Sequence, residues 1–210
     1  MISKPQSVAC HWTIIFCIAL PLMIFARSQR IYSQLCQSSS IQDTVKILWT
    51  DEQGEIRLND IFLRNITERQ RAVLGYIAIQ CGNDCRWDGP KNSDESNLRC
   101  KLTDALNLGY MCSSAQISYL QQWFSNDEAS LERLQYCSKK PADDTITDKF
   151  TDITFITEPE QYTIIYKAKG VNFEDLSGWE WETETVFDIT ENQSLKVSKW
   201  KNLSYYRFRL

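Results

Sequence analysis

The stretch GWEWETETVFDI, residues 178–189, alternates two kinds of residue with a period of two. In an extended chain Trp179, Trp181, Thr183, Thr185 and Phe187 share one face and Glu180, Glu182 and Glu184 share the other, because successive strand side chains point to opposite sides. Such a segment buries one face and wets the other, which is how an antiparallel sheet covered on one side reads.

The sequence around it repeats the pattern. FTDITFI (150–156), QYTIIYKA (161–168), SLKVSKW (194–200) and SYYRFRL (204–210) are rich in β-branched and aromatic residues. Asparagine, glycine, proline and acidic residues separate them, as expected of antiparallel strands joined by turns. The last segment sets Tyr205, Arg207 and Arg209 on one side and Tyr206, Phe208 and Leu210 on the other, and is expected to complete the sheet. It carries no apolar tail of the kind that directs a lipid anchor to a C-terminus.

Upstream the period changes to that of a helix. Thr67-x-x-Gln70 is a capping-box pattern, followed by Val73, Tyr76, Ile77 and Cys81 on one side. Leu98, Leu102, Ala105 and Leu106 form a second apolar stripe that Gly109 is expected to end. Ser113-x-x-Gln116 predicts a third helix, with Ile117, Leu120, Trp123 and Phe124 inward, and Ser125-x-x-Glu128 a fourth, carrying Leu131, Leu134 and Cys137. Before the helices, two β-favouring runs flank Asp51-Glu52-Gln53-Gly54 and read as a hairpin.

The expected fold class is therefore α+β: a disulfide-stapled helical region followed by a C-terminal antiparallel β-sheet packed on the helices. Residues 29–138 form the helical region with its short N-terminal hairpin, 139–149 a connector marked by Pro141, Asp143 and Asp144, and 150–210 the β region.

Residues 1–28 have the layout of a signal peptide: Lys4, an apolar run from Trp12 to Ala26, then the small-x-small site Ala26-Arg27-Ser28. Export with cleavage near Gln29 is the expectation, to a secreted or periplasmic destination. The alternative is an anchor through the uncleaved segment, although this run, interrupted by Pro21, falls short of the roughly 20 residues of a membrane span. No stable span is expected after cleavage. Cleavage would remove Lys4 and Arg27 and no acid, moving the formal charge from −4 to −6. That balance argues against nucleic-acid binding, which needs lysine and arginine on phosphates, and suits a cationic partner, protein or glycan.

Cys36, Cys81, Cys85, Cys100, Cys112 and Cys137 remain after cleavage. An even set in an exported chain points to disulfides, with connectivity left open and a Cys100 to Cys112 clip among the choices. The single histidine, His11, lies inside the expected signal. A mature chain without histidine lacks the usual base of Ser-His-Asp and Cys-His chemistry and the commonest ligand of catalytic zinc.

Other constellations are weaker. Counted from Asp84, Asp88, Asn92 and Glu95 fall at positions five, nine and twelve of a calcium loop, with Gly89 at six, but Arg86 stands where position three needs an oxygen. A solvated turn is the better expectation, and neither a metal nor a cofactor is expected. Cys81-x-x-x-Cys85 differs by one residue from redox spacing and sits at a helix end, where the dipole does not favour a thiolate. Glu180, Glu182 and Glu184 recur along their strand at roughly 6.5 to 7 Å, which touches the separation used by inverting glycosidases. Trp179 and Trp181 would then serve as a sugar platform, although tryptophans two apart on an amphipathic strand more often join the core. Asn65, Asn192 and Asn202 fit the N-glycosylation sequon.

The expectation is an exported, non-catalytic binding or inhibitory module, with Glu180, Glu182, Glu184, Trp179 and Trp181 as its first candidate surface. The alternatives are a carboxylate-dependent hydrolase acting on glycans and a structural subunit of a surface or envelope assembly.

Overall fold

The computed structural model describes residues 43–81, 101–109, 111–137 and 146–210. Within them the chain runs β1 (Asp43–Thr50), β2 (Ile56–Leu58), α1 (Asp60–Asn65), α2 (Glu68–Ile77), α3 (Lys101–Ala105), α4 (Ser114–Trp123), α5 (Glu128–Cys137), β3 (Ile146–Glu158), β4 (Gln161–Asn172), β5 (Ser177–Ile189) and β6 (Leu195–Arg209). The six strands form one antiparallel sheet in the order β2-β1-β3-β4-β5-β6, so the protein is of mixed α+β class.

The helices pack on one face of that sheet. Ile47 of β1, Ile153 and Phe155 of β3, Tyr162, Ile164 and Tyr166 of β4 and Phe187 of β5 lie in a single buried cluster with Val73, Tyr76, Ile77, Leu120, Phe124 and Leu134 of the helices. At its centre the Tyr76 ring lies 4.6 Å from Phe124 and 5.7 Å, edge-on, from Phe187. The Tyr76 hydroxyl is hydrogen-bonded to Ser130 Oγ at 3.1 Å, so its polar end is satisfied inside the core. Burying each such side chain contributes roughly 1.5 to 3 kcal/mol.

Several local expectations that rest on periodicity or capping hold. Val73, Tyr76, Ile77 and Cys81 are all buried. The capping box at Thr67 is complete: its hydroxyl accepts from the Gln70 N–H at 3.2 Å and the Gln70 side chain accepts from the Thr67 N–H at 2.9 Å. Ser113 caps α4, while Gln116 reaches one residue further than a capping box would, accepting from the Cys112 N–H and donating to the Gly75 carbonyl at 3.1 Å. That second bond ties α4 to α2.

Several expectations are corrected. The N-terminal hairpin does more than precede the helices: β1 pairs with β3, from Asp43 opposite Thr157 to Trp49 opposite Asp152, and thereby joins the C-terminal sheet. Residues 146–149, expected in the connector, already pair with Lys169 to Asn172 as the start of β3. Helix α3 ends at Ala105 and is closed by Asn107 rather than by Gly109. Asn107 has φ 54, and the bonds from Leu108 N to Thr103 O and from Asn107 N to Asp104 O form a Schellman motif around it. Ala105 is exposed rather than on the apolar stripe, and Leu98 lies outside the described residues. Helix α5 is capped by Asp127 instead of Ser125, because the Asp127 carboxylate accepts from the Ser130 N–H and hydroxyl. Of the pairings that the sequence left open, Cys112 bonds to Cys137, closing the α4–α5 hairpin. Finally, SLKVSKW and SYYRFRL belong to one fifteen-residue strand, β6, in which Asn202 pairs with Thr183 instead of marking a turn.

Among the described residues no helix is long and apolar enough to cross a membrane. Residues 1–42, with the expected signal and Cys36, lie outside the described residues, as do Cys85, Cys100 and the loop residues Asp84, Asp88, Asn92 and Glu95.

Candidate functional site

The β4–β5–β6 end of the sheet carries every sequence-derived surface candidate. On β5 the two faces separate as the alternation requires: Trp179, Trp181, Thr183, Thr185 and Phe187 on the helix side, Glu180, Glu182 and Glu184 on the outer side. The register with β4 decides what each meets. Lys169 stands opposite Glu180 and Lys167 opposite Glu182, with ion-pair distances of 3.6 and 3.9 Å. Glu184 is bound by Lys199 of β6 at 2.5 Å. The three carboxylates are therefore the acidic rows of an alternating ladder across three strands, each neutralised within the molecule. Lysines 167 and 169 were visible as a period-two pair in the sequence, but their meeting with the glutamates depends on register, which the sequence does not display.

The tryptophans are held by packing. A Cβ built on Gly170 would lie 2.3 Å from the Trp179 indole, so that ring rests directly on the β4 backbone and only glycine leaves room for it. Trp181 stands opposite Ala168 and packs against the core. Burial raises the Tyr166 phenol above its ordinary value, while the side chains of Thr183, Trp181 and Trp200 pull the other way. This face is thus a partly buried aromatic seam rather than an open platform.

The outer edge is different. β6 follows β5 over its whole length, with extra residues at Ser198 and Leu203, and among the described residues no further strand pairs with its other side. Trp200, Leu203, Tyr205 and Tyr206 are exposed, the two tyrosines to 64% each. Its sequence, LKVSKWKNLSYYRFR, carries Lys196, Lys199, Lys201, Arg207 and Arg209 and no acid. Arg207 faces Asp175 at 3.6 Å. The Asp175 carboxyl is held below the usual carboxylate range, chiefly by its hydrogen bonding to Ser177. Lys169 stands 5.2 Å from the Phe208 ring in a cation–π contact.

A concavity of about 510 Å³ opens beside β2 and α1, lined among others by Arg57, Asp60, Leu63, Arg64 and Asp104. Its cations and carboxylates are mixed and favour no one ligand charge. Asn65, Asn192 and Asn202 are all exposed; the Asn65 amide donates to the Ile61 carbonyl at 2.7 Å and Asn202 Oδ1 accepts from Thr183. Among the described residues no group of three or more histidines, cysteines or carboxylates is placed to hold a metal ion. No protein-family model, curated protein or solved structure matches the chain.

Proposed function

We propose that this protein is an exported, disulfide-stabilised, non-catalytic binding or inhibitory module that meets its partner at the β6 edge of its sheet. The observation that carries the reading is a fifteen-residue edge strand with which, among the described residues, no further strand pairs, and whose half beyond Val197, where Asp127 binds the backbone, carries exposed aromatic residues and a single sign of charge. Natural sheets shorten or cover such edges, because unpaired strand backbone recruits other chains. The Cys112–Cys137 bond supports the stapled helical layer, and export accounts for a disulfide of this kind.

The same edge favours a second reading, a subunit of a surface or envelope assembly, in which the partner is another copy or a neighbouring subunit. Hydrolysis by the β5 carboxylates has less support. A catalytic acid needs one carboxyl removed from water and counter-charge, whereas Glu180 is 55% exposed at its side chain and ion-paired to Lys169.

The test is made on the protein recovered from the medium or periplasm of expressing cells. Intact mass after alkylation, with and without reduction, is expected to show a chain starting near Gln29 and no labelled thiol, and a glycan panel is expected to show no turnover. Turnover abolished by Glu182→Gln would overturn the binding reading in favour of the hydrolase, and a stable oligomer on sizing would favour the assembly subunit.

A further inference from the structure

The Leu210 N–H donates to the Leu176 carbonyl at 2.8 Å, which makes these two residues a hydrogen-bonded pair at the end of the β5–β6 ladder. Antiparallel pairs alternate between bonded and non-bonded types. The register Gly178–Phe208, Glu180–Tyr206 and Glu182–Ser204 therefore falls in the bonded class. In the intervening pairs, Ser177–Arg209, Trp179–Arg207 and Trp181–Tyr205, the β6 residues aim their N–H and C=O groups away from β5. Tyr205, Arg207 and Arg209 thus present a regular row of backbone donors and acceptors at the open edge. This half of the strand lies beyond the irregularity at Leu203 and carries no lysine, whereas Lys196, Lys199 and Lys201 sit in the other half with both extra residues. Bulges and edge lysines are devices that discourage pairing, and here they protect only the first half.

From this we propose that residues 204–209 of β6 are a strand-addition site for an extended acidic segment of a partner protein. The proposal rests on the binding-module reading and names the partner's chemistry. The backbone row supplies the ladder, as in other cases where a peptide augments a sheet edge. Charge selects the occupant. β6 holds five cations and no acid in a chain whose formal charge is −4, and among the described residues Lys196, Lys201 and Arg209 make no ion pair. An incoming strand with glutamate or aspartate at alternate positions meets Arg207 and Arg209 on one face, beside Tyr205. A second copy pairing through the same strand would set cations against cations along the seam, and like charges across a ladder are unfavourable.

The experiment titrates the full mature chain into a fluorescein-labelled peptide of alternating valine and glutamate, about ten residues long as ordinary strands are, with lysine replacing glutamate in the control peptide. The acidic peptide is expected to bind and the basic one not to, with affinity falling as salt rises. Tyr205→Pro removes an outward N–H that β5 does not use, and proline is tolerated on edge strands. It is expected to weaken peptide binding about tenfold or more, through the lost ladder bond and the ring's obstruction of an incoming strand, with the unfolding midpoint kept. Arg207→Glu with Arg209→Glu is expected to reverse the peptide preference.

Equal binding of both peptides, binding of neither, or full affinity in Tyr205→Pro would each overturn the proposal. So would amides of Tyr205, Arg207 and Arg209 already protected from exchange in the peptide-free chain, which would show the edge occupied, or a wild-type dimer that Tyr205→Pro dissociates. Glycan turnover lost in Glu182→Gln ends the binding-module reading without touching these titrations, whereas a failed titration ends this proposal and leaves that reading standing.

Discussion

Asp127 gathers three donors on one buried carboxylate: the Ser130 N–H, the Ser130 hydroxyl at 2.7 Å and the Val197 N–H at 2.9 Å. It therefore caps α5 and pins that helix to β6, so a single side chain links the helical layer to the strand that carries the proposed site. Asp127→Ala is expected to cost about 2 to 4 kcal/mol in urea unfolding, the lost cap plus a stranded N–H. Asp127→Asn, which keeps an acceptor, should cost less; equal losses would show that the charge matters more than the cap. Asp51 works at the hairpin turn, where Arg57 at 2.7 Å and the backbone of Glu55 and Gln53 hold its carboxyl below the ordinary 3.8. A depressed folded value means that its contribution is present above the unfolded value and fades as pH falls through the folded one. Melting curves of wild type and Asp51→Asn are thus expected to converge below about pH 3.8, and parallel curves through that range would discount the interaction.

At the scale of the element, each helix shows a different balance between local code and context. Thr67 and Gln70 satisfy one another's backbone groups without help from the rest of the fold, so their pattern is readable in four residues. The Ser125-x-x-Glu128 pattern has the same residue types, yet the helix starts two residues later because Asp127 finds both Ser130 and the β6 backbone. Competing caps of similar strength are decided by which one also satisfies a distant donor. The α4–α5 hairpin is closed by Cys112–Cys137, at a separation of 25 residues. For a loop of that length the chain-entropy relation gives about 3.5 kcal/mol. Cys112→Ser with Cys137→Ser is expected to lose roughly that in denaturant unfolding, and a loss under about 1 kcal/mol would mean that the unfolded chain is constrained by other means.

Across the whole molecule, charge is arranged by strand rather than by surface. Lys167 and Lys169 of β4, Glu180, Glu182 and Glu184 of β5 and Lys199 of β6 alternate in sign from one strand to the next, which draws the acids inward and leaves β6 as a cationic rim. The lysines of these pairs are about half exposed, although Glu182 and Glu184 are more covered, and a surface ion pair contributes little, at most about 1 kcal/mol each. Replacing all three glutamates with glutamine is expected to leave the melting temperature nearly unchanged at moderate salt while making the outer face more basic, read as earlier elution from an anion exchanger. A collapse in stability would show that the ladder holds the sheet together. The face that the sequence offers as an acidic patch is, in the folded protein, neutral across its strands.

What the sequence determined by itself is what repeats within a few residues. The two faces of 178–189, the buried stripe of Val73, Tyr76, Ile77 and Cys81, and the cap at Thr67 all follow from side-chain direction and backbone satisfaction, which neighbours in the chain decide. The tertiary structure alone decided that β1 joins β3, that Lys167 and Lys169 meet Glu182 and Glu180, and that Asn202 continues a strand instead of turning it. Strand partners are chosen by the summed burial and hydrogen bonding of segments far apart in sequence, and a strand's pattern is the same whichever neighbour it has. For that reason the amphipathic character of the last segments was legible, and their place at the open edge of the sheet was not.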